Sequence, residues 1–516
     1  MNYGTYNTNP LKIDDIYIKK HLALIESGKF NAGAFFADFQ PVMNERIRKY
    51  KQYTTEHNSI DDRPKPLDSS DMIKAFNKIH NSFYNLIVDQ KVGYEFGNPI
   101  IYKISDNVSD ASKEWLQDFL KDQDIFIKNT KNGTQQAATG TSYALLDIES
   151  DGKNTSPILR VIDSWNGYVL DEKKAAVYIE DSYTATMGFV KNLYLITPKK
   201  ITKYQSSING IYVKPDFQIA QDGEKDNLLE VITLAAFDNN DNMQSDFETV
   251  EDLIDSYDRV ISSSMDEVEQ FRWAYMIIFG TTLNEDEAKK IFKRQTGIIN
   301  MRDPNGSANF LTKDMPTEFF DSFIKLLSDN IYKFSKTIDT NDPSFAGAGG
   351  SESGEARKWK LIALEFKANT TEAYFKKGLK NLFAAITAYM NKKLQMDDID
   401  KNDVTAQFTR TLPVDLGYLA DVITKITSIV SDETALGMLS VIDDPEAEME
   451  KRRKEQQEKA QISAGMFDPY NSTFGKMKDG EVDDDDGDLL EEPEKAVVKR
   501  NDEKGKSKLE EDSTSA

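Results

Sequence analysis

Side chains that could do chemistry are sparse in this sequence, carboxylates excepted. The 516 residues include no cysteine and 3 histidines, His21, His57 and His80. Without a thiol there is no disulfide, no thiolate metal ligand and no cysteine nucleophile. The histidines lie in the first fifth of the chain with no HExxH or paired spacing, so neither a histidine metal site nor a catalytic triad is expected. The 87 acids could supply paired carboxylates for two-metal nuclease chemistry, but no spacing singles out a pair. Two acidic stretches invite a calcium reading and fail it. Aligned on Gly487, an EF-hand loop needs an acid at Val482 and a glutamate at Pro493. Over Asp238–Thr249, Met243 stands where glycine belongs and Thr249 where glutamate belongs. Gly347, Gly349 and Gly350 cluster, but no strand precedes them in a βαβ unit and no P-loop lysine follows. No GxSxG nucleophile elbow occurs. The residues point to no catalytic centre, no metal and no cofactor.

The elements that carry these residues must fill more than one core. A chain of 516 residues exceeds the roughly 250–300 at which one hydrophobic core stops growing. Apolar residues make up 39% of it, enough for real cores. Its 64 basic and 87 acidic residues give a net charge of −23, the wrong sign for a surface that grips DNA phosphates. The same charge would keep DNA from sticking to a channel wall. The polar start Met1-Asn2-Tyr3-Gly4 lacks a signal pattern, and no apolar run approaches the ~20 residues of a bilayer span. The expectation is a soluble, intracellular protein with no membrane contact.

Hydrophobic spacing predicts a helix after Pro41 to Tyr53, and a second one on Met72, Phe76, Ile79, Phe83 and Ile87 that ends near Gly93. Between about Ile100 and Phe237 short β-branched and aromatic runs predict strands at Ile100–Ile104, Ser142–Ile148, Ile158–Ile162, Tyr168–Leu170, Ala176–Ile179, Leu193–Ile196 and Leu229–Leu234. A helix is expected at Ala111–Leu120. Helical stripes follow over Phe247–Gln270 and, from a favoured first-turn proline, over Pro316–Ile338. A short helix at Asp286–Arg294 and a strand at Gly297–Met301 are expected between them. The Gly/Ser/Asp-rich stretch Asp339–Gly354 reads as a loop. A long helix runs from Glu355 to Leu394, with Asn369–Thr371 and Gly378 as places for a kink. Shorter helices capped by Asp415 and Ser431 follow, then a charged helix over Glu446–Gln461. The stretch Asp479–Glu494 holds no Lys or Arg and reads as a disordered tail. The fold class is α+β, mostly helical.

Several phrases in order resemble the portal proteins of long-tailed, siphophage-type bacteriophages. They are Asn77–Pro99 (NKIHNSFYNLIVDQKVGYEFGNP), Gly140–Asp147 (GTSYALLD), Ile162–Val169 (IDSWNGYV) and Leu253–Gln270 (LIDSYDRVISSSMDEVEQ). The glycine-rich loop, the long helix after it and Phe408-Thr409-Arg410 complete the set, over roughly Asp38 to Gln461. The resemblance implies a portal fold with wing (1–246), stem helices (247–270 and 316–338), clip (271–315), tunnel loop (339–354), a long kinked helix (355–394) and crown (395–470), with 471–516 a tail without a role.

It implies a ring of about twelve copies built on heterologous interfaces, set at one vertex of the phage capsid. Double-stranded DNA would pass through non-specifically. The implied partners are terminase, the major capsid and scaffolding proteins, and a head-completion adaptor. The implied places are the host cytoplasm during assembly and the virion afterwards. The tunnel loop would put Ser344, Phe345, Gly347, Gly349, Gly350, Ser351 and Ser353 near DNA, with Arg357 and Lys358 at the helix start. Arg357 and Lys358 serve equally as intersubunit salt-bridge partners. In the clip, Lys289, Lys290, Lys293 and Arg294 make a basic face for an acidic partner or DNA, or simply a solvated helix face. A metal-dependent nuclease and a monomeric head-interaction protein remain the alternatives. The apolar stripe of Pro316–Ile338 is more than a two-helix stem can bury alone, so neighbours would share it.

Overall fold

The computed structural model describes residues 15–65, 75–150, 155–184, 188–207, 217–271, 275–279, 307–311, 317–339, 354–411, 431, 436 and 448–457. Residues 1–443 form one unit. The second, 444–516, is described at 448–457, a helical stretch with Lys454 paired to Glu450 at 3.1 Å. That stretch lies inside the charged helix expected at Glu446–Gln461.

The first unit is mixed helix and sheet, as the spacing predicts. Strands β3 (Thr155–Ile162), β2 (Thr141–Ser150) and β9 (Leu234–Asp238) form an antiparallel sheet in that order. Strands β4 (Gly167–Asp171), β5 (Ala175–Thr184), β6 (Gly188–Ile196), β7 (Lys200–Ser207) and β8 (Gln218–Asp226) make a five-stranded meander. Period-two alternation sorts their side chains into layers. On β2, Ala144 and Leu146 face the helices α3 (Phe83–Phe96), α4 (Asp110–Asp122) and α5 (Ile125–Thr139). Tyr143 and Leu145 face the second sheet, meeting Ala176 and Tyr178 of β5. The other side of β5, Val177 and Ile179, meets Phe35, Phe39 and Val42 of α2 (Ala32–Tyr53). Helix α1 (Asp15–Glu26) packs Ile18, Leu22 and Ile25 against the same core.

Two expected boundaries move. Helix α2 starts nine residues before Pro41 and runs through it. The run Leu229–Leu234 enters its strand only at Leu234, because Asn227 ties the preceding turn by accepting from Leu229 N at 3.1 Å and donating to Val231 O at 2.7 Å. Short β1 (Ile101–Ile104) pairs antiparallel with β12 (Val404–Gln407), 300 residues away, with Ile101 opposite Gln407.

Helix α6 (Glu251–Phe271) and α7 (Thr317–Ser335) cover most of the two predicted stripes. Between them β10 (Tyr275–Phe279) and β11 (Ser307–Leu311) pair antiparallel. The helix expected at Asp286–Arg294 and the strand at Gly297–Met301 lie outside the described residues. Helix α8 is 36 residues long, Gly354–Tyr389, and ends in a π-turn, Met390–Leu394. Its length of roughly 54 Å lets one helix serve two cores. Leu364 and Ala368 pack on Tyr94; Leu379, Leu382, Phe383 and Ile386 enter the main core. The helix is unbroken at Asn369–Thr371 and at Gly378. Gly378 instead lets β9 approach: a Cβ there would lie 2.5 Å from the Phe237 ring.

Candidate functional site

The region that singles itself out is the α6–α7 pair and the joint beneath it. Acidic and hydroxyl side chains recur on one face of α6 at Asp255, Asp258, Ser262 and Asp266. They hold an extended strap of chain. Asp266 Oδ1 accepts from Asn77 N at 2.6 Å, Ser262 Oγ from Ile79 N at 2.9 Å, and Asp258 Oδ1 from Asn81 N at 3.0 Å. Two residues of extended chain advance about 6.6 Å and four of helix about 6 Å, so every second strap residue meets every fourth helix residue. Tyr84 continues the series by donating to Asp255 Oδ1 at 3.0 Å. The strap therefore spends its N–H groups on α6 side chains, and α3 begins only at Phe83. The expected helix over Met72–Ile87 is corrected accordingly: Phe76 and Ile79 are not helical, and Met72 is outside the described residues. Burial pushes the Asp258 carboxyl up to about 6, against the hydrogen bonds from Asn81.

The first turn of α6 is anchored on α2. Lys49 Nζ lies 2.6 Å from Glu248 Oε2, Gln52 Nε2 donates to Glu251 Oε1 at 2.9 Å, and Arg48 pairs with Glu251. Just upstream, Asp246 is buried between two lysines. Lys91 of α3 is 3.1 Å from its Oδ2 and Lys367 of α8 is 3.3 Å from its Oδ1. Burial opposes ionisation of Asp246, but the two ammonium groups and a hydrogen bond from Asn239 hold its carboxyl below the ordinary value. Lys367 also donates to Ser335 O at 3.0 Å, at the end of α7. One ammonium thus joins the start of α6, the end of α7 and the middle of α8.

Beyond Ser335 the chain turns through Lys336, in the left-handed region at φ 61. The Gln90 amide then grips Ile338 at both backbone atoms, donating to its O at 2.6 Å and accepting from its N at 2.8 Å. Beyond residues 340–353, Glu365 of α8 accepts from Tyr94 OH at 2.5 Å and from Arg410 Nε at 3.1 Å. Arg410 Nη2 pairs with Glu372 at 2.7 Å, and Phe408 packs on Phe96 and Phe375. So α3 braces both the entry to and the return from residues 340–353.

The α6–α7 pair leaves apolar surface uncovered. On α7, Leu327 and Ile331 are buried, whereas Phe319 is 63%, Leu326 54% and Phe334 53% exposed. Phe323, stacked on Phe319, is 37% exposed. Met265 and Val268 of α6, and Ile362 and Phe366 of α8, are exposed as well. Large apolar side chains in such number on neighbouring turns mark an interaction surface.

The candidate residues read from the sequence fall mostly elsewhere. Ser344, Phe345, Gly347, Gly349, Gly350, Ser351 and Ser353 lie outside the described residues, as do Lys289, Lys290, Lys293 and Arg294. Arg357 and Lys358 lie in the first turns of α8, and only their backbone is among the described parts. Sequence reasoning missed Gln90, Lys91, Glu95, Asp246 and Lys367. One signal was available: Lys91 and Glu95 continue, at steps of three and four, the α3 face that carries Tyr84, Ile87 and Val88, where a solvated side chain has no reason to be. Among the described residues no group of three or more His, Asp or Glu could hold a metal ion, and no helix is long and apolar enough to cross a membrane.

Comparison with known proteins bears on this arrangement. A family model described as phage portal protein, SPP1 Gp6-like, matches residues 42–461. The portal protein of Bacillus phage SPP1 is 24% identical over 415 residues, covering 77% of this chain and 80% of that protein. The portal protein of Clostridium phage phiCD119 is 25% identical over 437 residues, covering 78% of this chain and 90% of that protein.

Proposed function

This chain belongs to the family of SPP1 Gp6-like phage portal proteins, and from that premise we propose that about twelve copies close into a ring that conducts double-stranded DNA at one capsid vertex. The ring is a passive, non-enzymatic conduit for packaging, retention and ejection. It docks terminase first and a head-completion adaptor afterwards, and it sits among the major capsid and scaffolding proteins. It assembles in the host cytoplasm and stays in the virion.

In this reading 1–246 is the wing, α6 and α7 are the stem, 271–315 the clip and 395–470 the crown. Residues 339–354 are the tunnel loop, and α8 links wing to crown. Ser344, Phe345, Gly347, Gly349, Gly350, Ser351 and Ser353 would lie near DNA, with Arg357 and Lys358 at the loop's end. Lys289, Lys290, Lys293 and Arg294 would serve the clip's partners.

One observation carries the ring: Phe319, Phe323, Leu326 and Phe334 stand exposed on a helix whose own subunit buries only Leu327 and Ile331 of its large apolar side chains among the described residues. A closed ring covers such a face with a different face of the next copy. The net charge of −23 suits a wall along which DNA slides without adhering. The test is native mass spectrometry of the full chain with negative-stain imaging of the same sample. Closed rings with a central hole are expected. A monomer that also cleaves DNA in magnesium would overturn the proposal in favour of a nuclease.

A further inference from the structure

The strap on α6 is pegged near both ends by the same kind of group, and the two pegs differ in one respect. Asp266 Oδ1 accepts from Asn77 N at 2.6 Å and from its Nδ2 at 2.9 Å. Asp258 Oδ1 accepts from Asn81 N at 3.0 Å and from its Nδ2 at 2.8 Å. The other oxygen of Asp266 accepts from Arg63 Nη1 at 3.0 Å, so its charge is matched by a guanidinium. The other oxygen of Asp258 is buried and has no hydrogen-bond partner among the described residues. The whole residue is 0% exposed.

The charged groups around Asp258 offer little to an anion. On its own helix, Asp255 opposes a second negative charge, and Tyr84 of α3 donates to Asp255. From the strap, His80 favours the anion when protonated, but it also faces Asp61 of the 59–62 turn at 3.7 Å. No lysine or arginine pairs with Asp258 among the described residues. A carboxylate buried without a cation takes up a proton instead. With the proton on Oδ2, Oδ1 remains a carbonyl acceptor, as an amide oxygen would, and both bonds from Asn81 survive. Without the proton, the bare Oδ2 gains partners only from water, and water reaches it only if the strap lifts.

We infer that Asp258 is a proton-operated peg: protonated, it holds residues 80–82 of the strap on α6, and deprotonated it lets that stretch lift while the Arg63–Asp266 pair keeps Asn77 in place. The peg governs how tightly the first turn of α3, which starts at Phe83, is tied to α6. Burial raises this carboxyl from an ordinary value of 3.8 to about 6, so the tie is full below 3.8 and is lost as pH rises through about 6. Every contact lies within one subunit, so the inference does not depend on ring assembly.

Hydrogen exchange of the full chain between about pH 5 and pH 8, expressed as protection factors, tests this. Protection of the Asn81 amide should fall about tenfold over that range, half of it by about pH 6, while Asn77 stays unchanged. Asp258→Asn keeps the acceptor and cannot ionise, so its Asn81 protection should stay level across the range. His80→Gln should leave the step in place. A flat parent profile overturns the inference. So does a step that survives Asp258→Asn, or one that vanishes with His80→Gln and so belongs to His80. Equal loss at Asn77 overturns it too, because the strap would then open as one piece. Should Asp258→Asn not fold, the parent and His80→Gln profiles still decide.

Discussion

Glu95 is the residue whose behaviour is least expected for its type. It is 1% exposed and neither carboxyl oxygen has a hydrogen-bond partner. Burial drives its carboxyl up to about 8, with Lys91 and Arg410 pulling the other way. A carboxyl raised in the folded state gives stability that is full below its ordinary value of 4.5 and lost as pH rises through about 8. Glu95→Gln should therefore match the parent at low pH and become the more stable of the two above pH 8, read from urea midpoints across that window. Asp246 works in the opposite sense. Its lowered carboxyl contributes stability that is present at neutral pH and fades as pH falls below 3.8. Asp246→Asn leaves Lys91 and Lys367 crowded without their shared anion, at a cost of about 3–5 kcal/mol. A midpoint unchanged by that substitution would mean that the joint does not support the fold.

At the scale of elements, the design rests on a few fixed junctions. Helix α5 ends at Gly140, which sits at φ 91 and donates its N–H to Gln136 O at 2.8 Å. A Cβ there would fall 1.8 Å from Met243 O. Gly140→Ala must move the 240–246 loop, and with it Asp246, so a loss of roughly 3 kcal/mol or more is expected. The Gln90 clamp on Ile338 is a milder case. Gln90→Ala removes two half-buried hydrogen bonds, about 1–3 kcal/mol. Its signature is local: hydrogen exchange should quicken at residues 336–339 and stay unchanged in the sheets. The strap on α6 offers the same kind of reading. Ser262→Ala should expose the Ile79 amide to exchange while Asn77 and Asn81 keep their partners.

For the whole molecule, the decisive property is an apolar face that stands exposed among the described residues. Phe319 and Phe323 make little contact with their own chain's core. Phe319→Ser with Phe323→Ser should therefore change subunit stability by only about 0.5 kcal/mol. If the proposed ring forms, the same pair should abolish it, which native mass spectrometry would read as monomer under conditions where the parent is assembled. Leu327→Ala is the contrast. Leu327 is 5% exposed, so truncating it should cost about 2–5 kcal/mol in the subunit itself.

The sequence by itself determined a good deal of this protein. Long periodic segments carry their own signal, so α6, α7 and α8 were legible to within a few residues. The apolar centres of β2 to β6 were legible too, whereas the polar strands β7 and β8 carry too little alternating apolar pattern and were not expected. The ordered phrases were enough to point to the portal family. What the sequence left open was decided by tertiary contact. The run around Phe76 and Ile79 has helical spacing, yet α6 side chains claim its amides and hold it extended. Helix α5 is polar along most of its length and escaped notice, because what fixes it is burial of Asn129 and Gln136 against Tyr102 and Asp238, outside the helix itself. The joint is the clearest case. Lys91, Asp246 and Lys367 are separated by more than a hundred residues at each step. A lysine's spacing tells nothing of whether its charge meets water or a buried carboxylate. Only the packing of α3 against α8 removes the water, and only then does the pairing of these three side chains become a condition for the fold.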